Sequence, residues 1–167
     1  IRLQTPQTDQ KEHATPMFLT SSFTYDSAEE MGEAFADDTL DVNIYSRFSN
    51  PTVDEFIDKV AALEDAEDGV ATGTGMAAIF STFMTFLSKG DHIISASAVF
   101  GSTHTILTKY LPKWGIEFSY FDMNKPDSIA ALIKPNTKLL YVETPSNPGL
   151  DIIDIEAVSD LCKKNNI

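Results

Sequence analysis

The sequence is poor in cations and nearly free of cysteine. Arginine occurs only at Arg2 and Arg47, and lysine and arginine together number 12 against 25 acidic residues, a net charge of −13. Nucleic acids and anionic membrane surfaces draw basic proteins, so neither is an expected partner of this chain. The single cysteine, Cys162, excludes an internal disulfide framework and fits a reducing compartment. It falls within an expected helix over Asp154–Asn165, and no histidine stands near it in a recognisable catalytic signature. A small core residue is therefore expected there in preference to a nucleophile. No charged-then-apolar leader opens the sequence. The longest apolar stretch, Met76 to Leu87, is too short for a bilayer. These absences predict a soluble, cytoplasmic protein, and no metal site is expected.

What is present is ordinary for a globular fold: 167 residues, 43% hydrophobic and 22% charged, enough for a real core. Up to about Tyr25 little periodicity is visible, which predicts an extended arm. Ser27-Ala28-Glu29-Glu30 has the pattern of a capping box and opens a short helix to about Ala36, followed by a polar loop over Asp37–Ser49. Asn50-Pro51 is a helix start, and Val53, Phe56, Ile57, Val60 and Leu63 follow at helical spacing, predicting one buried face. Thereafter the pattern alternates. Strands are expected at Gly69–Thr72, His92–Ser97, Ile116–Phe121 and Lys138–Val142. Helices are expected at Met76–Ser88, Thr103–Lys113, Pro126–Ile133 and Asp154–Asn165. Such strand–helix units indicate an α/β fold, a mostly parallel sheet with helices on both faces.

Four local features carry chemistry. Thr72-Gly73-Thr74-Gly75-Met76-Ala77-Ala78 lies at a helix start, where unpaired amides and the positive dipole end favour an anion. A plain turn is the competing reading. The stretch also satisfies G-x-G-x-x-A, but a dinucleotide loop needs an acid about 20 residues on, and Ser95-Ala96-Ser97 stands there. Tyr45-Ser46-Arg47 places a rare arginine among aromatics just before a capped helix, suited to a phosphate contact or else to a surface ion pair. Glu143-Thr144-Pro145-Ser146-Asn147-Pro148 follows an apolar strand, at the end where ligands gather in parallel sheets. Val99-Phe100-Gly101-Ser102-Thr103 brings an aromatic ring to the same edge.

Taken in order, Tyr45-Ser46-Arg47, Asn50-Pro51-Thr52, Gly75-Met76, Phe100-Gly101 and Glu143 to Pro148 resemble the Cys/Met-metabolism family of pyridoxal-phosphate enzymes, over nearly the whole chain. The resemblance implies a fold-type I transferase, of which this would be the N-terminal portion. Residues 1–50 would form an arm and interface segment, and residues 51–167 the first part of the cofactor domain. It implies backbone amides of Gly75 and Met76 on the cofactor phosphate, and Tyr45 and Arg47 reaching the phosphate of a neighbouring subunit. Phe100 would stack on the pyridine ring, with Glu143 and Asn147 around the cofactor and Asn147 near its ring oxygen. A homo-oligomer follows, a tetramer built from dimers with shared active sites.

Two departures matter. Many members have tyrosine where Phe100 stands, and phenylalanine stacks without moving a proton. Ser102 also replaces a cysteine that marks methionine γ-lyases. The segment Val99–Thr103 is most similar to the O-succinylhomoserine sulfhydrylase branch, with O-acetylhomoserine sulfhydrylases close by. The implied reaction is γ-replacement on an O-acyl-homoserine with sulfide or a thiol, giving homocysteine. Methionine γ-lyase, cystathionine synthase or lyase, and an NAD-type dinucleotide domain remain as alternatives. No catalytic residue is placed in this chain, because the family's Schiff-base lysine is expected beyond Ile167.

Overall fold

The computed structural model describes residues 4–37, 39–40 and 42–167. Arg2, and Asp38 and Asp41 of the expected polar loop, lie outside the described residues. The chain divides into two compact units, Ile1–Ala71 and Thr72–Ile167.

In the first unit the arm from Gln4 to Tyr25 is extended, with an antiparallel bridge between Ser22 and Tyr45. Helix α1 (Ala28–Ala36) is capped by Ser27, whose hydroxyl accepts the Glu30 amide at 3.0 Å. Glu30 reaches back one residue further than the box pattern predicts, accepting the Asp26 amide at 2.8 Å. Helix α2 (Pro51–Glu64) begins as expected: Asn50, nearly buried, accepts the Thr52 amide at 3.0 Å. Its apolar stripe, however, is not buried. Val53, Phe56, Val60 and Leu63 are exposed, and the buried residue of α2 is Glu55, 8% exposed. The reason is that the arm docks on the polar side of the helix. Glu55 accepts from the Thr5 amide at 2.7 Å, the Thr5 hydroxyl at 2.9 Å, the Thr15 hydroxyl and the Lys59 ammonium. Those donors hold its carboxyl at about 2, with Lys59 first, then Thr15 and the Thr5 amide.

The second unit opens with α3 (Gly75–Phe86), capped by Thr74, whose hydroxyl accepts the Ala77 amide at 3.1 Å. Gly90, at φ +95°, turns the chain into β1 (His92–Ala96). Then come α4 (Gly101–Thr105), a π-helical turn at Ile106–Tyr110 and a 3-10 turn at Leu111–Trp114. The single long helix expected over Thr103–Lys113 is thus three short pieces. Pro112 supplies the cause: it has no amide to donate back and its ring crowds the preceding turn, so the helix widens and then tightens around it. Strand β2 (Glu117–Phe121), a 3-10 turn at Pro126–Ser128, α5 (Ile129–Leu132), β3 (Thr137–Tyr141) and α6 (Ile155–Asn165) complete the unit.

The sheet is fully parallel in the order β2-β1-β3, with Ile93 opposite Phe118 and Leu139. Because strand side chains alternate, β1 sends Ile93 to one face and Ile94 to the other. On the Ile93 side Phe83 of α3 and Leu87 at its C-cap pack with Ile106, Leu107 and Leu111. On the Ile94 side Ile129 of α5 and Val158 of α6 pack with Ala96 and Phe121. Helices on both faces of a parallel sheet are the expected α/β architecture of a fold-type I unit. Cys162 is half-buried against this second cluster, and burial pushes its thiol above the ordinary range, as fits a core residue.

The expected strand at Gly69–Thr72 is absent. That segment is extended, but no strand among the described residues pairs with it, and Val70 is exposed. At the other end of the sheet, buried His92 links all three strands: Nδ1 lies 2.8 Å from the Thr137 hydroxyl and Nε2 2.9 Å from that of Ser119. Burial, then the charge of Lys134, hold this imidazole below the usual histidine range.

Candidate active site

All three strands run the same way, so the loops leaving β1 and β3 emerge along one edge of the sheet. That brings Phe100 and Glu143 together. The Phe100 amide donates to Glu143 Oε2 at 2.7 Å. Glu143 Oε1 accepts from the Thr103 hydroxyl at 2.9 Å and from the Tyr141 hydroxyl at 3.0 Å. Both carboxylate oxygens are therefore occupied by the chain itself. The Phe100 ring is left 48% exposed, a face available to a flat partner. Tyr141, half-buried in edge-to-face contact with Phe83, has its phenol pushed well above the usual range by burial and then by the Glu143 charge. It stays protonated and donates.

Asn147 lies further along the same loop, exposed, and its side chain makes no hydrogen bond among the described residues. The peptide bonds before Pro145 and Pro148, on either side of it, are both cis.

Gly75 and Met76 form the first turn of α3. Neither amide donates to a partner among the described residues, since the cap takes Ala77 and the Thr74 carbonyl takes Ala78. A Cβ placed on Gly73 or Gly75 would meet nothing within 4 Å, so the ground in front of these amides is open. Helices α1, α2 and α6 each carry a carboxylate in the first turn, whereas α3 carries none. Met76 itself packs on the Ile93-side core, which fixes the turn to the sheet.

Tyr45 and Arg47 belong to the first unit. The Ser46 amide donates to the Ser21 carbonyl at 3.0 Å, the Ser46 hydroxyl to the Thr20 carbonyl, and Asn50 Nδ2 to the Ser46 hydroxyl at 3.0 Å. The turn is thereby pinned to the arm and to the α2 cap. The Arg47 guanidinium lies 4.7 Å from the Tyr45 ring centroid and 5.3 Å from that of Phe48, with no carboxylate partner among the described residues. Among the described residues, then, Arg47 makes no surface ion pair. A cavity of about 850 Å³ also lies in this unit, between Phe35, Leu40, Val42, Ile44 and Phe48. Asp37 and Asp58 in its wall disfavour an anion, and none of the predicted site residues lines it.

Comparison with known proteins identifies the family. The model of the Cys/Met metabolism PLP-dependent enzyme family matches residues 2–167. The chain belongs to that family. Among relatives of this family member, an O-succinylhomoserine sulfhydrylase of Pseudomonas aeruginosa is 40% identical over 161 residues, 96% of this chain and 40% of the relative. An L-methionine gamma-lyase of Fusobacterium nucleatum subsp. polymorphum is 41% identical over 152 residues, 91% of this chain and 38% of the relative. A solved O-acetylhomoserine (thiol)-lyase of Campylobacter jejuni, carrying a pyridoxyl-lysine monophosphate, superposes with a TM-score of 0.87 at 31% identity. It is covered over 40% of its length, against 98% of this chain. The chain thus spans about 40% of the length of these relatives. Membership in the family displaces the dinucleotide alternative.

The residues present fit a pyridoxal phosphate. Two unpaired amides on a carboxylate-free helix start suit the phosphate, and an exposed phenyl ring suits the pyridine plane. Sequence reasoning missed the partners of Glu143. Tyr141, the last residue of β3 and two before Glu143, is near enough in sequence to have pointed there; Thr103, 40 residues away in sequence, carries no such signal.

Proposed function

We propose that the full-length protein is a pyridoxal-phosphate enzyme that replaces the acyl group of an O-acyl-homoserine with sulfide or a small thiol, giving homocysteine. When bound, the cofactor supplies an electron sink for negative charge developing on the substrate. The chain described here holds and orients it. Gly75 and Met76 donate amides to the phosphate, Phe100 stacks on the ring, and Asn147 donates to the ring oxygen. Glu143 works from behind, holding the Phe100 backbone and the Tyr141 phenol. Tyr45 and Arg47 reach the phosphate of a neighbouring subunit, which makes the enzyme at least a dimer, and it works in the cytoplasm.

The observation that carries γ-replacement is the 40% identity to an O-succinylhomoserine sulfhydrylase, beside the likeness of Val99–Thr103, with Phe100 and Ser102, to that branch. The ring that stacks has no proton to give or take, a limit that applies to replacement and elimination alike. The 41% identity to a methionine gamma-lyase supports elimination as the second reading. The full-length enzyme, supplied with O-succinyl- or O-acetyl-homoserine and sulfide, is expected to form homocysteine faster than it releases keto acid from methionine or cystathionine. The reverse order would establish a lyase.

A further inference from the structure

The loop that carries Asn147 is closed by a clasp between Ser146 and Asp151. Ser146 is 1% exposed. Its hydroxyl donates to Asp151 Oδ2 at 2.7 Å, and the Ser146 hydroxyl oxygen accepts the Asp151 amide at 2.9 Å. The Ser146 amide donates to the Asp151 carbonyl at 2.9 Å and the Leu150 amide to the Ser146 carbonyl at 2.9 Å. These bonds tie the two ends of a short loop whose exposed middle is Asn147, Pro148 and Gly149. Gly149 is required by space and not by backbone angle: a Cβ there would stand 2.5 Å from Asp151 Oδ2 and 3.2 Å from the Ser146 hydroxyl oxygen. Leu150 closes the turn in the left-handed region at φ +58°.

We infer that Asp151, acting through Ser146, is a positioning residue that fixes how Asn147 presents its amide to the ring oxygen of the cofactor. This rests on the reading of Asn147 given above. An exposed amide on a free loop would have to be ordered anew at each binding event, at an entropic cost. The clasp meets that cost in folding. It also lets a carboxylate act without touching the ligand. Asp151 spends one oxygen on a buried hydroxyl, and that hydroxyl sits in the residue next to Asn147.

The test uses the full-length holoenzyme and reads the cofactor's visible absorption band, its pH midpoint, cofactor affinity, and the melting temperature of the cofactor-free protein. Asn147→Ala serves as the reference and is expected to move the band. Asp151→Ala is expected to move it in the same direction and to weaken cofactor affinity roughly tenfold. The double variant should show little beyond Asn147→Ala alone, because both changes act on one contact. Asp151→Asn retains an acceptor for the Ser146 hydroxyl and should restore the wild-type band. Should Asp151→Ala fail to fold, Gly149→Ala opens the clasp from the other side and should give the same shift. A moved band in Asn147→Ala with an unmoved band in Asp151→Ala, even with a lowered melting temperature, would overturn the positioning role alone. An unmoved band in Asn147→Ala would overturn the reading of Asn147, and the clasp's role with it.

Discussion

Replacing Glu143 with alanine removes three hydrogen bonds at once, and their sizes can be set from their surroundings. The bonds from Thr103 and Tyr141 reach an ionised acceptor from partly buried groups, about 1.5 kcal/mol each net. The bond from the Phe100 amide is more exposed and contributes less, roughly 0.5 kcal/mol. The expected loss is about 3.5 kcal/mol, which for a domain of this size lowers the melting temperature by roughly 7–14 °C. Glu143→Gln behaves differently. Its carbonyl can keep the Phe100 amide, which cannot turn round, while the hydroxyls of Thr103 and Tyr141 rotate to accept from the new amide. Only the charge is lost, about 1 kcal/mol. Glutamine also removes the Coulombic part of the Tyr141 shift while leaving burial in place. Tyrosinate formation, followed by its ultraviolet band, should then begin at lower pH than in the wild type. If the glutamine variant melts as low as the alanine variant, or if neither differs from wild type, Glu143 does not organise this edge of the sheet.

The Glu55 carboxyl, held at about 2, ties the arm to α2. Its folded value lies below the unfolded one, so the anchoring is complete above the ordinary carboxylate range and is lost as pH falls toward about 2. Protection against hydrogen exchange in the Thr5–Thr15 arm, taken relative to the intrinsic amide rate at each pH, should be high at about pH 6 and lost near pH 2, and Glu55→Gln should lower it at neutral pH. His92 is also held below its unfolded value, so stability should be full above about pH 6.5 and decline below it as the unfolded chain takes up the proton. Its imidazole resonances should titrate at lower pH than those of a free histidine; titration in the ordinary range would contradict the buried placement. His92→Leu keeps the volume but leaves the Ser119 hydroxyl without its imidazole partner and should cost roughly 1–3 kcal/mol in denaturant unfolding. Arg47→Ala in the full-length protein should weaken cofactor retention roughly ten- to hundredfold by equilibrium dialysis. In mixed oligomers the loss should appear in the partner subunit, and an unchanged affinity would remove Arg47 from the phosphate.

Much of the fold was legible because local signals and global demands coincide. Ser27, Asn50, Asp154 and Gly90 mark ends that depend on a few neighbouring atoms, and the apolar pairs in β1 and β3 show a sheet covered on both sides. What escaped depends on partners far along the chain. The stripe Val53–Leu63 has the period of a buried face, but period says nothing of what arrives to cover it, and the arm chose the Glu55 side. Gly69–Thr72 has the composition of a strand and, among the described residues, lacks a neighbour to bond. At the site, Phe100 and Glu143 could be read separately from their motifs. That the carboxylate grips the backbone of the aromatic residue is a fact of three dimensions. The Ser146–Asp151 clasp was equally hidden, since serine and aspartate in a proline-rich turn are unremarkable in composition.

The bare first turn of α3 has a kinetic consequence. With a net charge of −13, the chain repels an anion over distances up to the Debye length, about 10 Å at moderate salt. Attraction to the amides of Gly75 and Met76 takes over only at close range. On the proposed reading of Gly75 and Met76, a phosphate-bearing ligand approaching this chain would climb a low electrostatic hill before falling into a short-range well. Added salt lowers the hill more than it fills the well, so arrival should quicken with ionic strength, opposite to the usual course of electrostatic steering.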